Sequence, residues 1–308
     1  MKHLFLAVML LLYLVVGACD NCNIYLGINP KDFSHSVQLL YRWSWKYGTF
    51  NEEGVQLMKH GSSDSYTNSE VVEFYATYSV RAKLFLKPKL NVLIDFPYRN
   101  NYRAINNQTV ADVYGIGDPV ALLNYRLINS KKSDSTTSTH RLSLSVGVKS
   151  PLGSYRLMLN EELLNHDMQP GSGTFDPLFG VNYYLKSNFW GINTSVNYKA
   201  NAKNKDGFEY GDRLNIGMGV FSIIKIKKAK ILPFVGYYSE FGMYDKIKNR
   251  IVQNSSFAAH YMRISTNIFY NNWSINGEYL LPIAQHINGT NLINGNRMRL
   301  GLLYYFNN

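Results

Sequence analysis

The sequence predicts an all-β protein: a transmembrane antiparallel up-and-down β-barrel of about 12 strands, with long outer loops and shorter periplasmic turns. Three observations predict it. Apolar and aromatic residues alternate with polar ones in stretch after stretch, the period of a strand, whose successive side chains point to opposite faces. The connections between these stretches are alternately long and mostly short, the asymmetry of outer-membrane barrels. The final stretch, Asn296 to Phe306, ends on aromatic residues.

In that final stretch Met298, Leu300, Leu302, Tyr304 and Phe306 share one face, and Arg297, Arg299, Gly301, Leu303 and Tyr305 the other. A soluble sandwich also makes half-apolar strands. The recurrence of the pattern along the chain favours lipid outside and a polar interior. The chain has 308 residues, 17% charged and 14% aromatic, with 24 tyrosines, more than a core demands. Tyr and Trp suit a membrane interface, where an apolar body meets water at one end. A mean hydropathy of −0.20 does not exclude a barrel, whose membrane signal hides in alternation.

Residues 1–18 are expected to be a signal peptide: Lys2 and His3, an apolar run from Leu4 to Val16, then Gly17-Ala18. The run is shorter than the roughly 20 residues of a spanning helix, and no longer apolar run follows. Residues 19–35 are expected to form an N-terminal periplasmic segment and 36–306 the barrel. Cys19 and Cys22 are the two cysteines. Three readings of them stand: an acylated Cys19 after a lipobox-like Val16-Gly17-Ala18, a Cys19–Cys22 disulfide, or two thiolate ligands of a metal. The third lacks the further ligands a structural site needs. No metal or cofactor is expected.

The strands are justified in order. Strand one, Ser36 to Tyr47, places Val37, Leu39, Tyr41, Trp43, Trp45 and Tyr47 on one face. A polar Gly/Ser/Asn-rich loop follows over 48–68. Strand two carries Val72, Phe74, Ala76, Tyr78 and Val80, and strand three Leu90, Val92, Ile94 and Phe96. Residues 97–117 are expected to be a second long loop. Strand four, Val120 to Ile128, alternates less cleanly. Strand five carries Leu142, Leu144, Val146 and Val148. In the third long loop, 150–175, Leu157 to Leu164 reads as one or two helical turns folded into the mouth or lumen. Strands six and seven carry Phe179 to Leu185 and Trp190 to Tyr198, and strand eight Leu214 to Val220. Strand nine, Ile231 to Phe241, contains Pro233, a residue expected at a strand start, and its faces are not assigned. Strands ten, Met262 to Tyr270, and eleven, Trp273 to Leu281, meet at a two-residue Asn271-Asn272 turn.

The net charge of +11 is assigned by position. No nucleic-acid module is present, so no nucleic-acid partner is expected. The inner faces are expected to carry Arg42, Lys46, Arg81, Arg126, Arg141, Lys149, Lys199, Arg213, Arg263, Arg297 and Arg299, against Glu73, Asp176, Glu278 and Asp95. That imbalance biases a water-filled pore toward anions. The competing reading is that these groups pair and pack a narrow lumen shut. Lys-rich short turns suit a rim facing anionic headgroups.

Catalysis is not expected. His35, His60, His140, His166, His260 and His286 all lie in or beside loops, and His260 and Ser265 are not on one face. Three functions follow, in order: a transporter or pore for small solutes, a non-conducting structural or surface-binding barrel, and a lipid-modifying outer-membrane enzyme. The expected partners are outer-membrane lipid, barrel-assembly machinery taking the C-terminal strand, and a small solute. Recovery from the aqueous periplasm would favour a soluble sandwich instead.

Several loop motifs resemble one family. They are Gly115-Ile116-Gly117-Asp118-Pro119, Val148-Lys149-Ser150-Pro151-Leu152-Gly153, Met168-Gln169-Pro170-Gly171-Ser172-Gly173-Thr174-Phe175-Asp176, Tyr210-Gly211-Asp212 and Leu281-Pro282. Together they are similar to exported bacterial barrels described as outer-membrane transporters or as "MetA-pathway of phenol degradation" proteins. Cys19-Asp20-Asn21-Cys22 is similar to the start of Bacteroidetes members. Ser150 departs from the family's usual Pro-Thr-Gly. The resemblance spans about residues 70–306 and implies an outer-membrane barrel taking up small, including hydrophobic, compounds. In physical terms Gly117 and Gly173 are expected to supply positive φ, and Asp118 or Asp176 to cap turn backbone, which makes these residues turn geometry first.

Overall fold

The computed structural model describes residues 34–50, 69–130, 138–253, 255–287 and 292–306. The calls on 1–18, on Cys19 and Cys22, and on the loop before Ser69 lie outside them. Among the described residues twelve strands form one closed antiparallel barrel. They are β1 (Ser36–Phe50), β2 (Ser69–Lys87), β3 (Leu90–Ile105), β4 (Val120–Asn129), β5 (Thr139–Lys149) and β6 (Asp176–Lys186). Then come β7 (Trp190–Lys199), β8 (Arg213–Ser222), β9 (Ala229–Gly242), β10 (Phe257–Tyr270), β11 (Trp273–Ile287) and β12 (Ile293–Tyr305). β1 closes the ring: Val37 lies opposite Ala82 of β2 and Tyr304 of β12. Closure removes the free edge whose unpaired N–H and C=O groups would cost several kcal/mol each in lipid.

The alternation resolves into an outside and an inside. In β10 the side chains of Met262, Ile264, Ile268 and Tyr270 are exposed, while Tyr261, Arg263, Asn267 and Phe269 are buried. Outward aromatics mark both ends of the apolar wall. At the short-turn end stand Trp190, Trp273, Tyr270 and Phe306, with the Trp273 and Tyr304 rings 4.8 Å apart. At the long-loop end Trp43 lies parallel to Phe74 at 6.2 Å, which explains why an outward Trp43 is only 8% exposed. From Val37 to Tyr47 a strand rises about 33 Å along its axis, or about 25 Å after a tilt of about 40°, the height of an outer-membrane apolar band.

Four expectations are corrected. Residues 97–117 are not a loop. β3 runs on to Ile105, turns at Asn106 and Asn107, both in the left-handed region, and returns as a strand over Gln108–Ile116. Leu157 to Leu164 is not helical: Met158–Leu159 pairs with Glu162–Leu163 as a small hairpin, and a 3-10 turn follows at His166–Met168. Pro233 lies inside β9, not at its start. It falls where the ladder is interrupted, between Phe221 opposite Phe234 and Ile224 opposite Ile231, so its missing N–H breaks no ladder bond to that side. Gly117 has no positive φ, whereas Gly173 does at +73°. Gly117 makes room for its neighbours instead: a Cβ there would lie 2.9 Å from Arg99 Nε and 3.0 Å from the Pro97 ring, so the Arg99 side chain would have to shift.

Candidate functional site

The interior of the barrel is the candidate site, and it is built from the inward half of each strand. Carboxylates there are shared between cations. Asp95 of β3 accepts from Arg81 at 3.2 Å and from Arg42 at 3.4 Å. Glu278 of β11 accepts from Arg263 at 2.7 Å and faces Arg299 at 3.4 Å. Glu240 of β9 accepts from Arg297 at 2.6 Å and from the Tyr238 hydroxyl at 2.8 Å. Glu73 of β2 takes Arg103 at 2.8 Å and the Tyr75 hydroxyl, with Lys46 at 4.0 Å. Arg42 and Arg299 are direct cross-strand neighbours. Like charges so placed are unfavourable, and the two carboxylates beside them offset that repulsion.

Among the described residues, cavities open at two levels of the interior. The one nearer the short turns has a volume of about 150 Å³, with Arg81, Lys83, Arg126, Arg141, Arg299 and Glu278 among its lining. The one nearer the long loops has about 90 Å³, with Lys46, Lys199, Arg213, Arg297, Glu240 and Asp245 among its lining. Between them stands a row in register: Ser44 opposite Arg297, Arg297 opposite Leu280, and Leu280 opposite Arg263. Lys149 is buried at the mouth, above this row.

At that mouth the loop motifs converge. Lys149 meets Asp118 at 3.2 Å and also contacts Asp176 and the Ser172 hydroxyl. Asp118 accepts from the Gly153 amide at 3.1 Å, the Ser172 amide at 2.8 Å and the Ser172 hydroxyl at 2.7 Å. Asp176 accepts from the Ala202 amide at 3.0 Å, with Lys199 4.0 Å away. Backbones approach so closely at Gly171 that glycine is required, because a Cβ there would lie 2.8 Å from the Gly153 backbone, and a Cβ on Gly115 would lie 2.8 Å from the Ser154 side chain. Pro170 is fully buried beside them.

The 150–175 loop is thereby held against the inner face of the β3 extension. Asn101 donates to the Met168 carbonyl at 3.0 Å, and Met168 packs on Ala111 and Val113. Across the mouth Tyr210 donates to the His166 carbonyl at 2.6 Å, and the His166 and Phe208 rings stack at 3.9 Å. Burial pushes the His166 ring below its ordinary pKa and the Asp245 carboxyl above its own, and it raises the Tyr210 phenol strongly.

Sequence reasoning missed Arg99, Arg103 and Glu240 as interior groups. The first two sat in the misread 97–117 stretch, and the third in a strand without assigned faces. It also missed a Ser–His contact. His260 lies within β10, not beside a loop, and on the outer face, while Ser265 is interior. His260 Nδ1 is instead 2.9 Å from the Ser239 hydroxyl and 2.6 Å from that of Tyr237. Ser239 is 2% exposed, which keeps an ester carbonyl from its oxygen. Among the described residues no group of three His, Cys, Asp or Glu side chains is placed to hold a metal.

A closed antiparallel ring with an apolar outer wall, aromatic ends and a charged interior defines a transmembrane β-barrel of the outer-membrane type. Solved structures agree. The chain is similar to an outer membrane channel from Pseudomonas putida F1 at 14% identity and a TM-score of 0.63, covering 91% of this chain and 100% of that one. This agrees at the level of fold with the motif resemblance, and at such identity it shows the fold alone. The translocator domain of the autotransporter NalP from Neisseria meningitidis matches at 11% identity, 91% of each chain and a TM-score of 0.43. The transport unit of AIDA-I from Escherichia coli matches at 12% identity, 92% and 94% coverage and a TM-score of 0.44. No family model and no curated protein matches the chain.

Proposed function

We propose that this chain is an outer-membrane channel for small solutes, with an interior biased toward anions. The observation that carries the proposal is the interior itself: cavities within one closed wall, lined by more cations than carboxylates. Fixed charge of one sign in a confined, poorly screened passage selects the opposite ion. In this reading the short turns face the periplasm, the outward aromatics rest at the two lipid interfaces, and assembly machinery receives β12 by its aromatic end.

The rival reading, a non-conducting barrel, draws support from the buried Arg42–Asp95–Arg81 group, which packs the interior as well as charging it. Planar-bilayer recording of the purified protein separates the two. Channel events whose reversal potential in a salt gradient favours the anion support the channel. No events, together with no solute flux into liposomes, would leave the non-conducting barrel.

A further inference from the structure

We propose that the hairpin joining β8 to β9 is a binding site for anionic phospholipid, its lysines holding phosphate headgroups of the leaflet on the short-turn side. The site serves a conducting and a non-conducting barrel alike.

The distribution of charge comes first. Among the described residues the short connections contain no Asp or Glu, whereas the long-loop end carries Asp118, Glu161, Glu162, Asp167, Asp206 and Asp212 among others. The β8–β9 connection places Lys225, Lys227, Lys228 and Lys230 within six positions. All four are exposed. Lys225 stands directly opposite Lys230 in the ladder. Like charges so placed repel, and among the described residues none of the four lysines has an ion-pair partner. A phosphate from outside the protein would offset that repulsion.

Depth comes second. The neighbouring β7 ends its ladder with Trp190 opposite Ser222, and beyond that row Ile224–Ile226 pairs with Ala229–Ile231 alone. Lys225 therefore lies about 10 Å farther along the strand than Ser222. Trp190 is one of the outward aromatics that mark this end of the apolar wall, so the lysines fall where hydrocarbon gives way to headgroups. Ile224 and Ile226 alternate with Lys225 and are exposed on the face they share with the outward Val220. Such a strand suits the boundary itself: the isoleucines meet acyl chain, and a lysine stem follows the apolar surface to a charged head.

Recurrence comes third. In the β2–β3 connection Leu84 and Leu86 are exposed, and the exposed Lys87 and Lys89 follow them. The two connections are six strands apart in a ring of twelve and stand on opposite sides of the barrel. One soluble anion at the end of the lumen could not reach both. The lipid that surrounds a barrel meets each of them, which favours a headgroup over a free ion.

The test uses the full chain in a neutral detergent, read by native mass spectrometry. The probes are phosphatidylglycerol and phosphatidylcholine with the same acyl chains. Phosphatidylglycerol is expected to be retained at least about five-fold better. The Lys225→Gln/Lys227→Gln/Lys228→Gln/Lys230→Gln variant is expected to lose about ten-fold in phosphatidylglycerol retention and to leave phosphatidylcholine unchanged. The Lys203→Gln/Lys205→Gln/Lys248→Gln/Arg250→Gln variant removes the same charge from exposed positions at the long-loop end, and is expected to lose none. If the first variant does not fold, Lys227→Gln/Lys228→Gln at the tip of the turn carries the test, with a loss of about three-fold. Phosphatidylglycerol held no better than phosphatidylcholine, or lost equally from the hairpin and long-loop variants, would overturn the site. Its displacement by an equal concentration of inorganic phosphate would also overturn it, by showing a site for a soluble anion.

Discussion

Arg263 of β10 and Glu278 of β11 meet inside the barrel with Nε 2.7 Å from Oε2, and Arg299 of β12 reaches the same carboxylate at 3.4 Å. One negative charge thus holds two positive ones at the wall of the short-turn cavity. Replacing Glu278 by Gln keeps the shape and removes that charge. Stability is expected to fall by about 3 kcal/mol, the scale of breaking a buried pair. The anion-to-cation permeability ratio is expected to rise about two-fold. Urea unfolding in micelles and reversal potentials check the two effects.

The inside and the outside of β10 are separated by one residue. Ile264 is expected to face lipid and Asn267 the lumen. Ile264→Lys should therefore destabilise the barrel by about 2–4 kcal/mol, the cost of a lysine near the bilayer midplane, and Asn267→Lys by much less. Folding equilibria in lipid vesicles measure both. Equal costs would reverse or abolish the assignment of faces.

The glycines of the mouth make a sharper pair. A Cβ at Gly153 would lie 2.7 Å from the Asp118 carboxylate and 2.8 Å from Gly117 backbone, whereas at Gly277 the nearest atom is 3.6 Å away. Gly153→Ala is expected to cost about 1–3 kcal/mol by overpacking, and Gly277→Ala next to nothing. Protease cleavage within the 150–175 loop should rise for the first variant only.

The mouth should also respond to pH. Burial holds the His166 ring below its ordinary 6.5, against the pull of Asp167 and Asp206. A depressed histidine contributes stability that is present above 6.5 and lost as pH falls through its folded value. His166→Phe keeps the stack on Phe208 and should remove that loss. Asp245 has the opposite sign: burial raises it above 3.8, so its contribution is present below 3.8 and lost as pH rises through its folded value. Asp245→Asn should therefore stiffen the mouth at neutral pH. Hydrogen exchange of the Gly211 amide, which donates to Asp245 at 2.7 Å, reads both variants.

The twelve barrel strands were legible in the sequence, most of them because one face meets lipid and so alternates, while the ninth was placed without assigned faces. The same physics explains what was not. Above the apolar band both faces of a strand meet water, so Arg99, Asn101 and Arg103 on one side and Asn100 and Tyr102 on the other carry no binary pattern, although their ladder is intact. The interior charges could be placed, but not paired. Which carboxylate faces which guanidinium depends on the register between strands, and Glu240 had no assigned face. The cluster of Asp118, Lys149, Ser172 and Asp176 joins residues up to 58 positions apart, and no local pattern announces such a meeting.

The strands differ in length around the ring, 19 residues in β2 and 16 in β3 against 10 in β4 and β7. The crest formed by β3 and Gln108–Ile116 ends in an exposed bend at Asn106 and Asn107. With the long loops outward, as proposed, this crest lies where an antibody or a phage tail fibre would meet the cell surface. A fluorophore attached through Gln108→Cys would report that contact from outside the barrel wall.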